Sequence, residues 1–153
     1  MYNEKLREEE LKNKIAQDWF LDSKNGKFLE CSKILGEIDF CVSYTQKNLF
    51  EIRTINFLWA EAKRGIKENI IESFIQLILT IGKDRTFEYE NVPAFLGAFD
   101  CEKIAFIEYH EIQEIFSQND FNWNVTPSNH ESKEFKQLYK TIKTLLRSLT
   151  AKS

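Results

Sequence analysis

The sequence predicts a single α/β domain: a mixed β-sheet of four to five strands flanked by helices, in the order α-β-β-β-α-β-β-α. Three observations point there. Amphipathic helical spacing opens and closes the chain, short β-favouring runs cluster between residues 38 and 63, and a long apolar helical segment precedes two more strand runs. The length of 153 residues suits one domain with one core, and a 42% hydrophobic fraction can fill it. The domain is expected to span residues 1–153, with its central core over about 28–110 and a terminal helix over about 132–149.

Taken in order, Asn3 to Lys24 places Leu6, Leu11, Ile15, Ala16, Phe20 and Leu21 near helical intervals among Glu and Lys, an amphipathic helix ending before Asn25-Gly26. Lys27 to Ile34 fits either a short helix or a strand. Ile38 to Tyr44 is β-favouring, and after Thr45-Gln46-Lys47-Asn48 a second such run covers Leu49 to Ile52, so a hairpin is expected. Thr54 to Lys63, rich in Ile, Phe, Leu and Trp, reads as the central strand, halted by Arg64-Gly65. Lys67 to Gly82 is apolar on more than one face, as in a helix lying on a sheet, with Gly82 as its C-cap. Strands are expected over Ala94–Ala98 and Lys103–Tyr109, a short helix over His110–Phe116, a loop over Asn119–Glu131 and an amphipathic helix over Ser132–Leu149. That last helix covers the sheet or docks on another domain, core packing being the simpler use.

Composition narrows the function. The apolar stretch at 70–81 is interrupted by Glu72, Ser73, Gln76 and Thr80, short of the roughly 18 to 20 apolar residues a bilayer needs, and the first residues hold no signal-peptide core. A cytoplasmic protein without membrane contact is expected. Cys31, Cys41 and Cys101 form no CxxC pair, and His110 and His130 lack metal-ligand spacing, so neither a disulfide framework nor a zinc site is suggested. The net charge of −3 lacks the basic footprint of a self-sufficient nucleic-acid binder.

One grouping carries chemistry. Hydrolysis of a phosphodiester needs a divalent cation to shield phosphate and acidify a water, and a group to position that water. In the strand NFLWAEAKRG, the two-residue period puts Glu61 and Lys63 on one face, a carboxylate beside an ammonium at the strand end. Asp39, in GEIDFCV, stands at the start of a β run, and a hairpin can bring it to Glu61. Glu37 or Glu51 could take its place. On this picture Asp39 and Glu61, with the Ala62 carbonyl, hold Mg2+, for which Mn2+ would substitute, and Lys63 orients or deprotonates the attacking water. Three other E-x-K triplets, Glu10/Lys12, Glu131/Lys133 and Glu134/Lys136, lie in polar segments and read as solvated charge.

Asp39-Phe40, a hairpin, then Glu61-Ala62-Lys63 closing an apolar strand before a helix resembles the core of the PD-(D/E)XK nucleases. The resemblance covers about Ile34 to Leu79, with Ile38 where the family name has proline. It implies a restriction-endonuclease-like fold and a helix glutamine in the site, a place that Gln76 occupies in ESFIQLIL. A carboxylate from the first helix, among Glu8, Glu9 and Glu10, approaches the metal in some relatives, although a solvated acidic face is the simpler reading here. The phrasing TINFLWAEAKRG is similar to the N-terminal endonuclease domain of type II (IIG/IIS-like) restriction-modification enzymes, which implies double-stranded DNA as substrate and a methyltransferase and target-recognition domain in the same or a partner chain. No glycine-rich S-adenosylmethionine loop or NPPY-like motif occurs here. A non-catalytic nuclease-fold module for DNA binding or assembly is the alternative, an oligomer being compatible with either, and a small interaction domain with an incidental charged strand end is a third.

Overall fold

A computed structural model describes residue 10 and residues 29–32, 38–47, 49–63 and 69–152 of the chain. Glu10 is helical; the rest of the helix expected over 3–24, with Glu8 and Glu9, and the Arg64-Gly65 turn lie outside the described residues. Five strands form one sheet in sequence order: β1 (Leu29–Ser32), β2 (Phe40–Lys47), β3 (Ile52–Ala62), β4 (Phe95–Phe99) and β5 (Ile104–Glu108). Neighbours run antiparallel except β3 and β4, which are parallel and joined through helix α1 (Ile70–Asp84). The mixed sheet with helices on it agrees with the expected class.

Two strand assignments change. Leu49–Ile52 is not a strand of its own: Leu49 and Phe50 form the hairpin tip, and Ile52 begins the single strand β3. Thr45 and Gln46 stay in β2, paired with Thr54 and Arg53, which are exposed because this end of the hairpin runs beyond β4. The third strand of the group is instead β1, within the stretch that fitted helix or strand equally.

The register of the hairpin carries one irregularity. Val42 pairs with Leu58 but Ser43 pairs with Asn56, so Phe57 is the extra residue of a bulge. On the site side of the bulge Cys41 pairs with Trp59 and Phe40 with Ala60. Side chains opposite one another share a face. Cys41, Trp59, Leu96 and Ala98 therefore join the core beneath α1, whereas Phe40, Leu58, Ala60 and Phe99 form a second buried cluster on the other face.

Helix α1 begins three residues later than its apolar pattern suggests, at an N-cap: the Asn69 side chain accepts a hydrogen bond from the Ile71 N–H at 3.0 Å. It ends later too. Gly82 is not the C-cap; Arg85 is, in the left-handed region at φ 51°, with its N–H donated to the Ile81 carbonyl. Gly82 answers a different need. A Cβ there would lie 2.1 Å from the Trp123 ring, so the missing side chain lets the loop after β5 close on the helix.

After the one-turn helix α2 (Thr86–Tyr89) and the 3-10 turns Tyr109–Glu111 and Gln113–Ser117, residues 118–132 form the irregular connection expected there. Helix α3 (Lys133–Lys152) closes the fold. Its apolar stripe of Phe135, Leu138 and Ile142 is buried in the same core as Phe74, Leu77 and Ile81 of α1, so this face is spent on the domain's own packing.

Candidate active site

The strand β3 is buried along its last five residues, from Leu58 to Ala62, because β2 and β4 flank it there and α1 lies on one face. Glu61 shares the face of Trp59, two residues before it, and so points toward α1. A carboxylate with only 4% of its surface exposed is uncommon in a core and needs partners. It has two. The Lys63 ammonium lies 3.1 Å from Glu61 Oε1, and Gln76 of α1 donates Nε2–H to the same oxygen at 3.0 Å. Neither occupies Oε2.

Asp39 directly precedes β2, on the register that places it across from Glu61. The two acids line one cleft and stand near enough to share a hydrogen bond. Burial foremost, then the negative charge of Asp39, push the Glu61 carboxyl up to about 7, against the opposing pull of Lys63. The cleft encloses about 380 Å3 and is also lined by Gln76, Thr80, Lys83 and Asp84 of α1 and by Pro127 and Ser128 of the loop before α3. Thr80 bonds back to the Gln76 carbonyl through Oγ1 at 2.9 Å, tying together the helix turn that carries Gln76. Next to Asp39, the buried thiol of Cys41 is held up to about 12, by burial first and by Asp39 second, and is therefore no nucleophile at neutral pH.

Of the residues singled out in the sequence, Asp39, Glu61, Lys63 and Gln76 come together here. Ala62 lies between two of them at the end of β3, fully buried. Glu51 does not join: it stands at the hairpin tip, half exposed, beside Arg53, at the opposite end of β3 from Glu61. Glu37 lies outside the described residues. The remaining E-x-K acids Glu131 and Glu134 belong to the approach and first turn of α3, away from the cleft lining. Trp59 is core, and Trp123 packs on Gly82 and Phe121.

The cleft's donor set suits a hard cation. Two carboxylates line it, and the Glu61 carboxyl is pushed up by burial first and by the charge of Asp39 second, against the pull of Lys63. All the side-chain ligands on offer are oxygens, which favours Mg2+ or Mn2+ over zinc. A second grouping was not visible in the sequence, where His110 has no Cys or His partner. Its Nε2 lies 2.7 Å from Glu108 Oε2, and with Glu111 these three offer ligand atoms within 4.8 Å of one another. All three side chains lie on the outer surface of β5 and its 3-10 turn, where such groupings arise without a metal.

Comparison of the chain with protein families, with curated proteins and with solved structures finds no match. Among the described residues no helix is long and apolar enough to cross a membrane.

Proposed function

We propose that the chain is a Mg2+-dependent DNA endonuclease domain that hydrolyses phosphodiester bonds, a restriction-endonuclease-like phosphodiester hydrolase of the PD-(D/E)XK kind. The observation that carries this reading is the meeting, in one cleft, of Asp39 and Glu61 with Lys63 and Gln76 on the same Glu61 oxygen. Four residues spread over 38 positions would seldom meet around one buried carboxylate, Glu61, without a use for it.

In this reading Asp39 and Glu61, with the Ala62 carbonyl, hold the cation. When bound, the ion supplies charge to offset the phosphate and acidifies a coordinated water. Gln76, by donating to Oε1, fixes the rotamer of Glu61 so that its other oxygen is presented to the metal. Lys63, next to Glu61 and less buried than it, orients the attacking water and steadies negative charge as it develops on the phosphate. Double-stranded DNA is the substrate and Mn2+ a working substitute. The acidic balance of the chain, −3 overall, means that target choice and much of the affinity come from a methyltransferase and target-recognition domain, in the same or a partner chain, as in restriction-modification systems.

The alternative, a nuclease-fold module that binds DNA or assembles without cutting, is separated by one experiment. Supercoiled plasmid is incubated with Mn2+ and either the wild type or E61Q. Nicking by the wild type and its loss in E61Q support the enzyme; equal nicking by both, or none by either, would falsify it.

A further inference from the structure

We infer that Lys83, at the C-terminal end of α1, is a phosphate-binding residue of the cleft, gripping the DNA backbone beside the scissile bond with Ser128 on the facing loop. This rests on the nuclease reading and adds to it a residue of the substrate grip.

Charge is the starting point. Among the described residues that line the cleft, three are acidic, Asp39, Glu61 and Asp84, and Lys83 is the basic one. Lys63 lies 3.1 Å from Glu61 and serves the reaction centre, so its single charge is divided between that acid and the scissile phosphate and leaves the adjoining phosphate unanswered. A polyanion entering such a cleft meets net repulsion unless cations offset it. A divalent ion between Asp39 and Glu61 offsets those two acids and leaves Asp84 unanswered. Lys83 makes no ion pair with any described residue, and its side chain is exposed, so it is available to a phosphate oxygen.

Geometry adds the second wall. Pro127 and Ser128 are the central residues of a turn closed by the Asn129 N–H donating to the Thr126 carbonyl at 3.0 Å. Ser128 is exposed, and its hydroxyl has no partner among the described residues. The loop that carries it is held against α1 by Trp123 on Gly82, one residue before Lys83. The cleft's roughly 380 Å3 is at the small end of ligand sites. It admits one phosphodiester with its neighbouring sugar while the duplex lies across the mouth, the level at which an ammonium on a flexible stem and a hydroxyl can reach the adjoining phosphate.

The plainer use of Lys83 is as a basic residue in the last turn of α1, where it complements the helix dipole. The two uses differ in what they predict. Binding of a fluorescent DNA duplex by the full chain is measured by anisotropy in Ca2+ across a salt series, for wild type, K83Q, K83R, S128A and E61Q, with Mn2+ cleavage assayed in parallel. Phosphate binding predicts that K83Q weakens duplex binding about tenfold and makes the slope of log affinity against log salt shallower by about 1. K83R restores both, and S128A weakens binding by a smaller factor. Unchanged affinity and slope in K83Q, beside a wild type that binds, overturn the role of Lys83 and leave the nuclease reading standing. Undiminished cleavage by E61Q overturns the nuclease reading, whatever K83Q does. A wild type that binds no duplex in Ca2+ overturns the role of Lys83, and one that also leaves plasmid uncut in Mn2+ overturns both.

Discussion

Glu61 is the residue on which most else turns. Burial pushes its carboxyl up to about 7 in the folded chain against an ordinary 4.5, so between those values the folded chain holds a proton that the unfolded chain has released. Raising the pH through that window therefore removes stability. E61Q should flatten the profile, checked by urea midpoints at pH 5 and pH 8 on both proteins without added metal: the wild type loses stability between them and E61Q does not. D39N removes the second cause of the shift and should bring Glu61 down toward the usual carboxylate range, while weakening Mn2+ binding by calorimetry by at least about tenfold, the loss that goes with deleting a ligand or its support. At this scale much was readable. The two-residue period fixed Glu61 and Lys63 to one face, and the hairpin made Asp39 their partner. Gln76 followed only from the family pattern, since nothing in ESFIQLIL itself tells a site amide from a buried one. Lys83, like Lys67 and Arg85, could touch phosphate but reads in the sequence as a scattered surface base, and Thr80, Asp84, Pro127 and Ser128 carry no local mark, because they reach the cleft through the docking of α1 and a distant loop on the sheet.

Among the elements, strands with buried ends were easier to place than those with exposed ones. β4, buried from Leu96 to Phe99, stands within a residue of its expected bounds, and β5, half exposed at the sheet edge, does so because the Asp100 turn marks where it starts. The hairpin tip was misplaced, since Leu49 and Phe50 are apolar yet 95% and 94% exposed, and a hydrophobic pattern assumes burial. The end of α1 failed for a related reason. Glycine there reads as a stop, whereas the tertiary contact with Trp123 is what demands it. G82A tests this directly. In an exposed helix the change would stabilise by up to about 1 kcal/mol. Here the added methyl must displace an indole, and destabilisation of about 1–3 kcal/mol is expected by chemical denaturation. R85G, at the left-handed cap, relieves backbone strain but loses the exposed pairing of Arg85 with Glu88 and its stacking over Phe87, so the two effects oppose each other and the urea midpoint should barely move.

For the molecule as a whole, stability and exposure divide along β3. W59A, in the core under α1, should cost about 3–5 kcal/mol, whereas L49S at the tip should change the unfolding free energy by less than about 0.5 kcal/mol, both read from urea denaturation. The architecture of a mixed sheet with helices was legible because helical and strand periods alternate cleanly along the chain. The pairing of the hairpin was not, for a reason of counting. From the turn, eight steps lead back along β2 from Lys47 to Asp39 and nine lead forward along β3 from Ile52 to Glu61. An unbroken ladder would have brought Asp39 level with Ala60, turning the two acids to opposite sides of the sheet. Phe57 absorbs the surplus step. The chemistry at one end of the hairpin thus depends on a hitch in the middle of it, and a loop graft at the tip that adds or drops a single residue on one arm would be felt roughly 30 Å further on as an acid facing away from its mate.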